Sequence, residues 1–227
     1  MRRRFELIVF DWDGTLADST GLIVAGMQRA IAALGLEPRA DETIRSLIGI
    51  GFREALAELY PGHDPAELEA ALMALRQRAG GDGQQHAPLY PGVRPLLGRL
   101  HGHGYRLAVA TGKSRAGLDS ALDRHRGLRR RFLATRTADE TAAKPDPRML
   151  HELLAHSGVP PQRALMVGDT DYDMQMAAAA GVPAVAVAGG AHGHERLAAS
   201  PAREVLSGID AFAAWLDTVE SGRNQAE

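Results

Sequence analysis

Leu7-Ile8-Val9-Phe10-Asp11-Trp12-Asp13-Gly14-Thr15 is the stretch on which the reading of the fold turns. Its four leading apolar residues are too few for a helix and lack the alternation of a half-exposed strand. They describe a strand buried on both faces. Two carboxylates follow at once, and Gly14 gives the chain a place to turn away. Three further runs have the same character: Leu107 to Ala110, Ala164 to Val167 and Pro183 to Val187. Burial on both faces belongs to a parallel sheet covered by helices. Helical patterns lie among and beyond these runs, over Ser114 to Arg124, Pro147 to Ser157, Tyr172 to Ala180 and Ile209 to Val219. Pro147 suits a first helical turn, and Gly158 and Gly181 stand where helices stop. The pattern predicts a doubly wound, Rossmann-like α/β core.

The first strand and the second are far apart. Between Gly14 and Gly92 the sequence is helical in period, with helices expected over Ser19 to Leu34, Asp41 to Leu47, Phe52 to Tyr60 and Pro65 to Arg78. Gly80-Gly81-Asp82-Gly83 and the prolines at 88 and 91 read as a mobile return linker. The expected organisation is a catalytic core from residues 1–15 and 88–220, an inserted all-helical cap at 16–87 over the sheet's C-terminal edge, and a frayed tail at 221–227.

Composition narrows the function. The 227 residues carry a net charge of −2, 45% hydrophobic residues, 5% aromatics and no cysteine. Without cysteine there is no disulfide framework, thiolate nucleophile or Cys-ligated zinc. A near-neutral chain poor in aromatics does not suit nucleic acid. Neither the apolar run ending at Asp11 nor the alanine-rich stretch Met174 to Ala191 makes a leader or a membrane span. A cytoplasmic protein, monomeric or weakly dimeric, with no nucleic-acid or membrane partner is expected.

The chemistry sits where the strands end. Asp11 follows Phe10, Thr111 follows Ala110, and Asp169 follows Val167-Gly168. In a parallel sheet such positions meet at the C-terminal edge, where open α/β folds bind ligands. Asp13 and Asp173 lie within a turn of these ends. A cluster of acids repels itself unless a cation occupies it, and a hard divalent ion suits oxygen ligands. Lys113 and Lys144 are the chain's only lysines among 26 Lys and Arg residues. Both fall beside this cluster. Carboxylates, Mg²⁺, a hydroxyl, a lysine and turn amides are the requirements of phosphoryl transfer.

Four segments in order, Asp11-Trp12-Asp13-Gly14-Thr15-Leu16-Ala17-Asp18-Ser19, Ala110-Thr111-Gly112-Lys113-Ser114, Lys144-Pro145-Asp146-Pro147 and Gly168-Asp169-Thr170-Asp171-Tyr172-Asp173, resemble the motifs of the haloacid dehalogenase superfamily. The likeness is strongest to its phosphoglycolate phosphatase-like branch and spans roughly Phe5 to Leu216. The resemblance implies that Asp11 attacks phosphorus to form an aspartyl-phosphate and that Asp13 serves as general acid, then base. Thr111 and the Gly112 amide would hold phosphate oxygens, and Lys144 would neutralise the phosphate and Asp11. Mg²⁺ would be held by Asp11, the Asp13 carbonyl and Asp169, with Asp173 orienting a metal-bound water.

Two residues keep open readings. Lys113 either steers an anionic substrate or faces solvent. Arg53, in Gly49-Ile50-Gly51-Phe52-Arg53, either reaches a substrate carboxylate or second phosphate or stands in solvent early in a helix. Arg45 is a weaker version of the same idea. Asp171 and Asp18 read as a loop residue and a helix-cap residue, and His101, His103, His192 and His194 as surface residues. The near match of Gly112-Lys113-Ser114 to a P-loop fails because the required earlier glycine is Leu107. An EF-hand beginning at Asp169 fails at Met174 and Ala180.

The implied function is a Mg²⁺-dependent phosphatase of a small phosphomonoester, phosphoglycolate-like substrates included. The alternatives are a sugar phosphomutase resembling β-phosphoglucomutase, an inorganic pyrophosphatase of the same fold, and, least supported, a non-catalytic metal- or phosphate-binding module. The mutase branch tends to carry an acidic residue where this chain has Gly168. Asp13 argues against a dehalogenase, and the lack of lysine from Gly14 to Gly92 argues against a phosphonate-cleaving relative.

Overall fold

A computed structural model describes residues 3–78 and 87–222, with the backbone alone for 75–78. β1 (Leu7–Phe10) is fully buried. It pairs in parallel with β2 (Arg106–Thr111) on one side and β4 (Ala164–Gly168) on the other. β3 (Ala134–Thr137), β5 (Ala184–Val187) and β6 (Val205–Leu206) complete a six-stranded sheet in the order β3-β2-β1-β4-β5-β6, all neighbours parallel.

Alternation along the strands divides the core into two layers. Ile8, Phe10, Leu107, Val109, Leu165 and Val167 face one layer. Against them pack α5 (Val93–Gly102), α6 (Arg115–Arg124) and α10 (Ile209–Gly222). Phe10 meets Phe212 of α10 edge to face at 5.8 Å. Leu7, Val9, Ala108, Ala110 and Met166 face the other layer, covered by α7 (Arg148–Ser157), α8 (Asp171–Ala179) and α9 (His194–Ala198). Side chains such as Leu97 and Leu153, withdrawn from water on closing these layers, each contribute roughly 1.5–3 kcal/mol.

Between β1 and α5 the chain forms α1 (Thr20–Ala33), α2 (Asp41–Ser46), α3 (Phe52–Leu59) and α4 (Pro65–Arg78), as the periodicity predicts. They enclose an apolar cluster of their own, with Val24, Ile31, Ile44, Ile48, Leu56 and Leu68. Ala191, from the loop after β5, joins it.

Several expectations need correction. β3 and β6 are absent from the sequence reading because they are edge strands, where half-exposed Ala-Thr-Arg-Thr and a two-residue Val-Leu leave no apolar run. α5 is missed although Val93, Leu96, Leu97 and Leu100 follow helical spacing, since Pro95 and Gly98 punctuate it. α9, five residues long, is also missed. α10 continues through Ser221 and Gly222, where a frayed tail was expected to start, and 223–227 lie outside the described residues. The glycines at 80, 81 and 83 of the expected linker also lie outside them.

Candidate active site

The parallel sheet brings the ends of β1, β2 and β4 to one edge, so Asp11, Thr111 and Asp169 converge although they are far apart in sequence. All three are buried. Gly14 turns the chain off β1 with φ of +79°, and a side chain there would strike the Asp169 carboxylate at 2.1 Å. Close approach, as much as backbone freedom, requires glycine at 14.

Each carboxylate is held differently. Asp169 accepts from Thr15 Oγ1 at 2.6 Å and from the Ala191 amide at 2.7 Å. Asp173 occupies the third position of α8, and its Oδ2 accepts from the Thr170 amide at 3.1 Å and the Thr170 hydroxyl at 2.7 Å. The Thr170 hydroxyl receives the Asp173 amide in return, closing a capping box that fixes the start of α8. Asp11 has no such support, and neither of its oxygens receives a hydroxyl or amide hydrogen.

Lys144 lies between them, its Nζ 2.7 Å from Asp11 Oδ1 and 2.7 Å from Asp173 Oδ1, with a side chain of zero exposure. At these distances each is a close, fully buried ion pair, and the compact ammonium serves both carboxylates at once. Burial alone would lower its pKa. The Asp11 and Asp173 charges outweigh burial and hold it above the ordinary lysine value. Burial pushes Asp11 up to about 7, against the pull of Lys144 and with added repulsion from Asp173 and Asp13. Asp169 is raised well above the usual carboxylate range, again by burial first and then by Asp11 and Asp173. Three buried acids with one lysine among them are short of positive charge.

Oxygens of Asp11, Asp169 and Asp173 lie within 4.8 Å of one another. All-oxygen donors, an Asp11 carboxylate with no hydroxyl or amide donor, and the raised pKa values fit a hard divalent cation. Asp13 stands apart from this trio. Both its oxygens accept from Lys113 Nζ, at 3.0 and 3.1 Å, and the pair is only partly exposed. Thr111 Oγ1 accepts from the Lys113 amide at 3.3 Å.

The loop between α2 and α3 lies directly over this edge. A Cβ on Gly112 would sit 2.4 Å from the Ile50 carbonyl oxygen, and one on Gly49 would sit 3.0 Å from Thr170 Cγ2. A Cβ on Gly51 would meet Glu54 of α3 at 2.0 Å and Ala143 of the core at 3.2 Å. Arg53 pairs with Glu69 at 2.6 Å and is 60% exposed, so it stays within the helical segment. Glu69 and the weaker partner Glu54 raise the Arg53 pKa. Arg45 is 3.8 Å from Glu42.

Two further residues depart from the sequence reading. His192 is not a surface residue. It is 4% exposed, and burial lowers its pKa below the usual imidazole value. Asp171 is the first residue of α8, where Arg196 grips both its oxygens at 2.9 and 3.0 Å. Neither partner is near it in sequence, so no spacing rule points to them.

A family model described as haloacid dehalogenase-like hydrolase matches residues 8–187. A phosphoglycolate phosphatase of Rhodospirillum rubrum is 31% identical over 226 residues, 96% of this chain and 93% of its own length. Another from Pseudomonas putida is 35% identical over 207 residues, 86% of this chain and 74% of that one. A crystal structure of a haloacid dehalogenase-like hydrolase from Bacteroides fragilis superposes with a TM-score of 0.81 at 27% identity, covering 90% of this chain and 98% of the other. Motif order, the parallel sheet that carries it and these likenesses agree: the chain belongs to the haloacid dehalogenase-like hydrolase family.

Proposed function

We propose that this hydrolase is a Mg²⁺-dependent phosphatase of small phosphomonoesters that works through an aspartyl-phosphate on Asp11. One observation carries the reading. A carboxylate that receives no hydroxyl or amide hydrogen is buried against a lysine at the C-terminal edge of the sheet, with two more carboxylates beside it. An unsolvated carboxylate is a competent nucleophile once the charge on the approaching phosphate is neutralised. The phosphoglycolate phosphatase relatives support a small phosphomonoester as the substrate class.

In this proposal Asp11 Oδ attacks phosphorus, and the leaving oxygen takes a proton from Asp13. Asp13 then removes a proton from water, the resulting hydroxide attacks the same phosphorus, and the Asp11 carboxylate departs. Thr111 and the Gly112 amide hold phosphate oxygens, while Lys144 balances charge on the phosphoryl group and on Asp11. Asp11, Asp169 and the Asp13 carbonyl would bind Mg²⁺, with Asp173 behind them. The ion would supply a Lewis acid for the phosphoryl oxygens and a counter-charge for the cluster.

The Lys113 pair with Asp13 narrows the substrate. Asp13 cannot pass a proton to a leaving group while both its oxygens face an ammonium. A leaving group that bears its own anionic group, as the carboxylate of phosphoglycolate does, draws Lys113 away. Arg53, paired with Glu69, is the weaker candidate for that role. Pyrophosphate also has an anionic leaving group and belongs in the same screen. A Cβ on Gly168 would meet Asp173 within 2.5 Å, so the acidic residue expected of the mutase branch has no space there.

We assign residues 1–15 and 88–220 to the catalytic core and 16–87 to a cap that closes over it. The partner is a small phosphorylated metabolite, met in the cytoplasm by a monomer or weak dimer. No described helix is long and apolar enough to cross a membrane. The test is phosphate release, with and without Mg²⁺, from phosphoglycolate, hexose phosphates, nucleotides and pyrophosphate. Mg²⁺-dependent release from a small anionic ester is expected. No release from any of them would overturn the reading.

A further inference from the structure

Three side chains of the core donate to a single backbone oxygen of the helical segment. The acceptor is the Ser46 carbonyl, the last residue of α2. It receives the His192 Nε2–H at 3.0 Å, the Tyr172 hydroxyl at 3.2 Å and Arg196 Nη1 at 3.4 Å. The final carbonyls of a helix have no partner within it and carry its negative dipole end, so donors and a cation are favoured there. The donors also brace one another. The Asp171 amide donates to His192 Nδ1 at 3.0 Å, which leaves the ring hydrogen on Nε2 for Ser46. Arg196 stacks 5.2 Å from the Tyr172 ring while its fork holds Asp171. The Tyr172 and His192 rings meet edge to face at 5.2 Å.

The residue before His192 makes the second connection. Ala191 packs in the apolar cluster of the helical segment, yet its amide donates to Asp169 Oδ2 at 2.7 Å. The His192 amide lies 3.4 Å from the Asp169 carbonyl. Two successive residues therefore hold the cap with their side chains and Asp169 with their backbone. If α2 lifted away, Ser46 would leave its three donors and Ala191 would lose its apolar neighbours. The amide that orients the Asp169 carboxylate would then be free to move.

We infer that Ala191 and His192, braced by Tyr172 and Arg196, are positioning residues that couple docking of the helical cap to the orientation of Asp169. The inference rests on Asp169 as a metal ligand. Linkage makes the effect reciprocal: a cation that favours the held carboxylate favours the docked cap, and a loosened cap weakens cation binding by the same factor.

The test uses the whole chain with Mg²⁺ alone. Amide hydrogen exchange is followed over residues 41–51, with β1 and β4 as internal controls, and Mg²⁺ affinity is measured by calorimetry. In the wild type, Mg²⁺ should slow exchange over 41–51. In His192→Ala that segment should exchange roughly tenfold faster, the equilibrium worth of about one to two net hydrogen bonds. Mg²⁺ should bind several-fold more weakly, and β1 and β4 should exchange as before. Tyr172→Phe combined with Arg196→Met removes two donors from half-exposed positions and serves if His192→Ala does not fold. Faster exchange over 41–51 with Mg²⁺ affinity unchanged within twofold would overturn the coupling, as would unchanged exchange in both variants. A wild type that binds no Mg²⁺ at millimolar concentrations would instead overturn the metal-site reading, and this inference with it.

Discussion

Replacing Lys144 with methionine removes the cation between Asp11 and Asp173 while keeping much of the side-chain volume. Lys144 has no exposed surface, and its ammonium is 2.7 Å from each carboxylate. Removing one partner of a buried ion pair strands the other, at a cost of about 3–5 kcal/mol. For a chain of this size each kcal/mol moves Tm by about 2–4 °C, so a loss of roughly 6–20 °C is expected. The loss should depend on pH in a definite direction. The Asp11 pKa is raised to about 7 from 3.8, so the folded protein binds more protons than the unfolded chain between those values. Stability contributed by a raised acid falls as pH rises through that window. Without Lys144 the rise in pKa grows and the fall steepens. Lys144 itself has a raised pKa, and its contribution is fully present below the unfolded lysine value, so its own titration adds no slope here. Thermal melts in EDTA at pH 5, 6, 7 and 8 should show the variant close to wild type at pH 5 and well below it at pH 8. Added Mg²⁺ should recover part of the deficit. Parallel curves at every pH, or a deficit under about 2 °C at pH 8, would refute the claim that Lys144 balances buried negative charge.

Asp11→Asn should abolish turnover and also raise the Tm of the metal-free protein at pH 8, because it deletes a carboxylate that is costly to ionise; melts and phosphate release check both halves. Lys113→Met should lower kcat/KM for phosphoglycolate at least tenfold more than for hydroxyethyl phosphate, an ester of equal length whose leaving group is uncharged; equal losses would remove Lys113 from substrate selection. Gly112→Ala places a methyl 2.4 Å from the Ile50 carbonyl, so exchange over 41–51 should accelerate while the sheet stays protected.

The legible and hidden parts of the molecule differ physically. Leu7 to Phe10 could be read because a central strand is apolar on both faces and its neighbours must be also. Asp11, Thr111 and Asp169 could be placed together because a parallel sheet delivers successive strand ends to one edge. The edge strand Ala134–Thr137 could not be read, since half-exposed positions accept polar residues. Lys113 remained open because only tertiary placement shows that its ammonium reaches Asp13. Arg53 suggested a substrate anion because its guanidinium fork suits planar anions, whereas its partner, Glu69, stands on another helix. His192 was misjudged for a related reason. An exposed-looking His-Gly-His loop gives no hint that one ring is buried against a carbonyl from a segment 146 residues away.

Covalent labelling tests the proposed chemistry most directly. The enzyme with Mg²⁺ and ³²P-labelled phosphoglycolate is quenched in acid within milliseconds, digested and sequenced by mass spectrometry. The expected result is a hydroxylamine-labile phosphoryl group on the peptide containing Asp11, absent without Mg²⁺ and absent in Asp11→Asn. Rapid phosphate release by the wild type with no label on Asp11, or an Asp11→Asn variant that still turns over, would contradict it.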